Sequence, residues 1–427
     1  MSTTATNSWR ATKLKFTGRV VGGGTPESGN PSYWDGSVPW LTPVDLGNER
    51  SDVITASKRM LTEAGVKAAG LERLPIGSVV FSTRAPIGSV GLLACEAVTN
   101  QGCKALVLDT RELDSRFCFY VALDSADMLQ SLGLGTTFVE LSTYSLKNLS
   151  VSIPSLDEQH RIVAYLDEQT AKIDRLMDMR RRQMALLKEQ RASLIQQAVT
   201  RGLDDNVPMK DSGLPWLGEI PAHWMLAPVN ARYEVQLGKM LDAAQIKGDC
   251  LAPYLRNIDV QWDSINVTDL PLMDFAPRDR EKFSLRAGDL MVCEGGEIGR
   301  AAIWNEELPN CFYQKAIHRL RPRSSKDNPR FMFYLLLIAS THGLFSSRGG
   351  QATIEHLPAE ALRRYRFPFA PQGEQDVIVE FLDAEGTKTD RLISAYTRQL
   401  ELLTEYRAAL IHECVTGQRA VPEVNNA

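Results

Sequence analysis

Across 427 residues there are seven cysteines, and no two of them form a Cys-x-x-Cys pair. An odd, scattered set supplies neither a disulfide framework nor a zinc ligand pattern, and it points to a reducing, cytoplasmic setting. Long apolar runs are also missing. The longest, Phe331 to Ala339, falls far short of the ~20 residues that a membrane span needs. The opening stretch MSTTATNSWRATKLK has no apolar signal core. Charge of one sign is absent too, since 48 Lys and Arg against 52 Asp and Glu leave a net −4. What remains, 44% apolar and 23% charged, is an ordinary globular composition, long enough for about two to four domains.

Catalytic signatures are equally scarce. The only Gly-Lys pair, Gly238-Lys239, is followed by Met240 and makes no phosphate-binding Walker motif. His160, His223, His318, His342, His356 and His412 show no metal-ligand spacing. No Asp or Glu stands two residues before any lysine, so the acidic-x-Lys core of restriction-type nucleases is missing. Asn30-Pro31-Ser32-Tyr33 is similar to the Asn-Pro-Pro-Tyr pocket of amino-methyltransferases, but its third residue is Ser and no glycine-rich cofactor turn precedes it; a turn is the better reading. The sequence therefore predicts no catalytic, cofactor-binding or metal-binding residues in this chain.

What the chain does contain is a duplication. Glu158-Gln159 recurs as Glu374-Gln375, an offset of 374 − 158 = 216, and from 158 to 200 that offset gives 21 identities in 43 positions without a gap. Leu166-Asp167 matches Leu382-Asp383, Asp174-Arg175-Leu176 matches Asp390-Arg391-Leu392, and Arg191-Ala192 matches Arg407-Ala408. The repeat extends backward with slightly smaller offsets. Arg116-Phe117-x-Phe119-Tyr120 matches Arg330-Phe331-x-Phe333-Tyr334 at 214, Ile87-Gly88 matches Ile298-Gly299 at 211, and Trp9 and Trp224 stand 215 apart. A chain organised this way is a tandem pseudo-repeat.

In each copy the closing segment carries apolar residues at three- and four-residue spacing, the pattern of a long amphipathic helix. Ser155 with Glu158 forms a capping-box signature at the first start, and Gly202 stands just past the first end. Two equivalent stripes predict an antiparallel coiled coil over residues 157–200 and 374–416, with Ile173, Leu176, Leu187, Leu194, Leu392, Leu403 and Leu410 at the packing positions and the heads at opposite ends. Residues Thr170 to Val199 would span roughly 45 Å at 1.5 Å per residue. The preceding segments hold short β-like runs (Ser78–Phe81, Val90–Leu93, Ala105–Leu108) broken by Gly and Pro. The expected fold class is α+β, with two strand-rich heads and two long helices. Its boundaries are a first head at 1–152, a first helix at 153–202, a polar linker at 203–222, a second head at 223–366, and a second helix with tail at 367–427.

The paired pattern Glu-Gln…Ile-Val…Leu-Asp…Asp-Arg-Leu…Leu-Leu…Arg-Ala-x-Leu-Ile…Val-Thr resembles the duplicated helical regions of specificity subunits of Type I restriction–modification systems. GGGTPESGNPSYWDGSVPWLTPVDL at 22–46, STRAPIG at 82–88, NQGCKALV at 100–107 and DSGLPWLGEIPAHW at 211–224 fit the same family. One departure is that Pro368-Phe369-Ala370-Pro371 replaces Ser152-Ile153-Pro154-Ser155, which leaves the start of the second helix open. The resemblance implies that the heads are target-recognition domains and the helices are spacers. It implies a non-catalytic subunit reading a bipartite, asymmetric site on double-stranded DNA. The partners implied are two methyltransferase subunits and restriction subunits, with S-adenosylmethionine, ATP and Mg2+ carried by those subunits. Elements reading one face of B-DNA sit roughly 34–36 Å apart, and the helix estimate of roughly 45 Å is of that order. The competing reading is a coiled-coil scaffold with duplicated peptide-binding heads, which salt-insensitive binding would distinguish.

Corresponding loops of the two heads are where different sequences would be read. Candidates for base contact are Thr83, Arg84, Gln101 and Thr136 in the first head, and Gln314, Arg348 and Gln351 in the second. Residues 313–366 hold ten Lys or Arg against three acids, and from them Lys315, Arg319, Arg321 and Arg323 are expected on phosphate. A plainer reading of the same arginines is that they pair with nearby acids.

Overall fold

A computed structural model describes residues 9–46, 53–84, 87–132, 140–241, 247–345 and 356–422. The chain divides into two compact units, residues 1–181 with 397–427 and residues 182–396. Both divisions fall inside long helices, Leu156–Arg201 and Gln372–Val415. Each unit therefore holds one head, the opening half of one long helix and the closing half of the other.

In the first head a five-stranded sheet runs in the order Gly18–Gly22, Cys103–Leu108, Val79–Ser82, Val90–Leu93, Val53–Ile54. The central strand is buried on both faces, which explains its unbroken apolar run. Val79 and Phe81 join Phe117 and Tyr120 on one side, while Val80 joins Leu41 and Leu93 on the other, as a two-residue period requires. The second head repeats the plan with a sheet ordered Tyr233–Leu237, Ile317–Pro322, Leu290–Cys293, Ala301–Ile303. There Leu290 and Val292 pack with Phe331, and Met291 and Cys293 with Phe312.

A helix follows each sheet. Asp114 caps Ser115–Asp124 by accepting from the Arg116 and Phe117 amides, and Asn328 caps Pro329–Thr341 with proline in the first turn. An antiparallel pair then returns the end of each head to its beginning: Arg10–Lys13 against Ser150–Ile153, and Met225–Pro228 against Arg366–Phe369. Trp9 and Trp224 lie edge-on to the equivalent Phe117 and Phe331. The 203–222 connector folds into a short hairpin, Met209–Asp211 with Glu219–Pro221, and seats Leu217 and Ile220 in the second unit's core.

The helices start and stop where local chemistry dictates. The Glu158 amide donates to Ser155 Oγ at the first start, and Gly202 at φ +81° closes that helix. The second helix lacks the serine. Its first turn instead uses the Pro371 carbonyl, which accepts from the Glu374 and Gln375 amides.

Within each unit the helices pack antiparallel. In the first, Ile162, Leu166 and Ile173 share a cluster with Leu410, Ile411 and Val415. In the second, Ile195 and Val199 share one with Ile378 and Leu382. Of the expected packing residues, Ile173 and Leu410 are buried, and Leu187, Leu194 and Leu403 are partly buried. Leu176 and Leu392 are a correction: they stand 43% and 44% exposed. Successive helical residues are about 100° apart, and the neighbouring Met177 is the one that joins the cluster in the first unit.

Candidate nucleic-acid interface

Three loops meet at one end of each sheet, joined through the backbone. In the first head the Thr83 amide donates to Gly102 O (2.8 Å), and the Leu141 amide donates to Thr83 O (2.9 Å). In the second, the Glu294 amide donates to Ala316 O (2.9 Å), and the Leu357 amide to Glu294 O (2.7 Å). The segments around Thr83, Gly102 and Leu141 are thus neighbours in space, and those around Glu294, Ala316 and Leu357 meet in the same register. The glycine cluster near the N-terminus serves this junction, because a Cβ on Gly23 would lie 2.0 Å from Asn100 O and one on Gly238 would lie 2.3 Å from Gln314 O. Only glycine allows that approach.

One buried donor per head fastens the junction. Lys104 Nζ reaches Leu141 O at 2.9 Å, and His318 Nε2 reaches Leu357 O at 2.7 Å. A carbonyl accepts, so His318 carries its proton on Nε2. Burial, more than the nearby Arg363 cation, pushes its pKa down to about 4 and keeps the ring neutral. Lys104 also faces Glu140 at 3.5 Å, and Glu140 in turn holds Arg84 Nε at 3.3 Å. Sequence reasoning missed Lys104, Glu140 and His318, whose partners are distant in the chain.

The predicted residues divide. Arg84, Gln101 and Lys315 are exposed at the junction, and Gln314 is half-buried there. Gln101 Oε1 accepts from Thr25 Oγ1. Thr83 is fully buried, its hydroxyl without a partner among the described residues, so it supports the loop and does not face a base. Thr136, Arg348 and Gln351 lie outside the described residues. Arg319 is a correction, since it is 2% exposed and bound to Glu234, Lys282 O and Ser284 O. Arg321 is another: it clasps the buried Asp289 through two bonds of 2.7 and 2.6 Å. Both lie in an interior strand of the sheet, where a cation needs an internal partner. Arg323 remains exposed, with Nε on Asn230 O.

The repeated helix signature ties each head to its own helix. Gln159 is fully buried; it accepts from the Asp114 amide and donates to Glu112 O and Pro154 O. Gln375 does the same with the Asn328 amide, Lys326 O and Ala370 O. Asp167 accepts from Arg116 and Tyr120, just as Asp383 accepts from Arg330 and Tyr334. Burial, and then the Asp167 contact, push the Tyr120 phenol up to about 12, so it remains a donor. No cluster of potential metal ligands occurs among the described residues, and none of their helices is long and apolar enough to cross a membrane.

Two diverged heads, each locked by equivalent contacts to an equivalent long helix, define a duplicated two-headed class of protein. The model of the family described as the Type I restriction modification DNA specificity domain matches residues 8–182 and 235–402, and the chain belongs to that family. It is 32% identical over 183 residues to the Type I restriction enzyme MjaIX specificity subunit of Methanocaldococcus jannaschii, covering 42% of this chain and 41% of that one. The MjaVIII specificity subunit of the same organism is 21% identical over 324 residues, 73% of this chain and 72% of the relative. A chain from a structure on complex assembly and conformational transition of the type I R-M system superposes with a TM-score of 0.74 at 17% identity, over 95% of this chain and 97% of its own.

Proposed function

We propose that the chain is the specificity subunit of a Type I restriction–modification complex. It performs no catalysis itself and reads a bipartite, asymmetric site on double-stranded DNA, one part per head. The observation that carries this reading is the contrast at the loop junction, where backbone bonds are equivalent in the two heads while the side chains differ. Arg84 and Gln101 are assigned to bases in the first half-site and Gln314 to the second, with Lys315 and Arg323 on phosphate. Arg348, Gln351 and Thr136 keep their assignment from sequence alone.

The helices offer a surface for partners. Leu176 and Leu186 on the first helix and their equivalents Leu392 and Leu402 on the second leave apolar side chains exposed. Related surfaces on equivalent helices suit two copies of one methyltransferase subunit, with restriction subunits joining that assembly. S-adenosylmethionine, ATP and Mg2+ belong to those partners, in the cytoplasm. Methylome sequencing of the host with and without the gene tests the reading. Loss of one bipartite methylated motif is expected, and an unchanged methylome counts against it. Binding to target DNA should also weaken steeply with salt, whereas a peptide-binding scaffold would be indifferent.

A further inference from the structure

Glu294 stands at the junction of the second head, where the first head has Thr83. Its backbone is held on both sides, the amide by Ala316 O and the carbonyl by the Leu357 amide. The next carbonyl, of Gly295, accepts from Asn257 Nδ2 at 2.7 Å, and Gly296 turns the chain at φ +71°. The carboxylate is therefore presented from a fixed frame. It is half-buried and makes no hydrogen bond or ion pair among the described residues. Other poorly exposed acids of this head are paired: Asp259 with Arg256, Asp289 with Arg321, Asp327 with Arg232. A carboxylate held in a fixed frame without a partner among the described residues keeps its acceptor oxygens open to a donor from outside the chain.

We infer that Glu294 is a specificity-determining residue, selecting a base with an exocyclic amino group at one position of the second half-site. This rests on the DNA-reading role proposed above. An ionised carboxylate only accepts, and phosphate repels it. In the major groove its matches are cytosine N4 and adenine N6, while guanine O6 and thymine O4 present acceptors against it. The first head has the opposite chemistry beside the equivalent position. Thr83 is buried and uncharged, and the exposed Arg84 is donor-only and suits guanine O6 and N7. Corresponding junctions in the two heads thus select opposite hydrogen-bonding edges.

The test uses the assembled complex with wild-type chain, Glu294→Gln and Glu294→Ala, and a panel of duplexes varied at each position of the methylated motif. Base analogues lacking only the amino group, 2-pyrimidinone for cytosine and purine for adenine, replace the natural base one position at a time. For the wild type, one such replacement in the second half-site should weaken binding about tenfold or more. Which analogue has the effect tells cytosine from adenine. In Glu294→Ala the same replacement should make no difference, with first half-site preferences unchanged. Glu294→Gln keeps the shape and guards against a folding artefact; it should weaken but not abolish the preference. A variant that loses affinity equally for all duplexes, or retains the wild-type preference, overturns the inference. If the wild-type complex shows no sequence preference at all, the DNA-reading role itself fails.

Discussion

The two heads share their supports and differ in what they present. Each fastens its loop junction with one buried donor to an equivalent leucine carbonyl, yet the donor is cationic Lys104 in the first and neutral His318 in the second. Around Lys104 stand Glu140 and Arg84; at the corresponding places around His318 stand His356 and Gly295. By contrast, the locks between head and helix match group for group, down to the carbonyls that Gln159 and Gln375 reach. Contacts that hold the frame were kept after duplication, while those at the reading end drifted. A rigid scaffold lets its loops vary in this way without loss of fold.

The sharpest break of that comparison is Arg321→Ala. It leaves Asp289, 1% exposed, without its cation, and should cost the second unit about 3–5 kcal/mol in a urea titration. Lys315→Ala should leave stability unchanged and lower the salt slope of DNA binding by about one. The reverse pair of results would return Arg321 to the DNA. Next in size are Gln159→Leu and Gln375→Leu. Each leaves a buried amide and two carbonyls short of a partner, at about 2–4 kcal/mol in its own unit. Near-equal losses, read by hydrogen exchange in each unit, are expected from equivalent locks. A loss below 1 kcal/mol in either would mean that the repeated Glu-Gln signature has another purpose.

Much of the frame was legible because duplication prints it twice. The 216-residue offset marks both helices, and the equivalent positions Thr83 and Glu294 make the same backbone contacts. The polar chemistry was hidden because its partners are far apart in the chain. Arg319 and Arg321 read as a basic run, but Glu234 and Asp289, 85 and 32 residues away, claim them. The interior position of Ile317–Pro322 in its sheet is what makes burial inescapable, and strand order has no local signature. Likewise, periodicity identifies a helical face only to within one residue. Leu176 and Met177 are both apolar, and packing alone decides which of them turns inward.

The buried donor of the second head, His318, should respond to acidification. The folded pKa of His318, about 4, lies below the ordinary value of ~6.5, so the unfolded chain binds the proton more readily. The stability tied to the neutral ring is complete above about pH 6.5 and is lost as pH falls towards 4, in total about 3 kcal/mol. His318→Gln keeps a donor for Leu357 O and should remove that part of the pH dependence. Denaturation at pH 7 and pH 4.5 checks it, and an unchanged slope in the variant would rule out His318 as its source. Smaller in scope is Arg84→Ala, expected to cost roughly 1–3 kcal/mol of target binding and to relax one position of the first half-site only. Relaxation in the second half-site would show that the heads are not read independently.

The finest comparison lies along the helices, where the repeat places the same ion pair in each unit. Arg407 Nε meets Asp174 at 3.1 Å in the first, and Arg191 Nη1 meets Asp390 at 2.7 Å in the second. The aspartates are largely exposed, at 52% and 62%, so water and salt screen both pairs. Double-mutant cycles with Asp→Asn and Arg→Gln should give couplings of about 0.2–1 kcal/mol each, falling with added salt. Equal couplings would show that these pairs set the register of the antiparallel helices equivalently in the two units. The apolar seam supplies the strength: Ile173→Ala should cost about 2–5 kcal/mol, several times either ion pair. A coupling above 2 kcal/mol would reverse that order and make the ion pairs, not the seam, the main determinant of how the helices join.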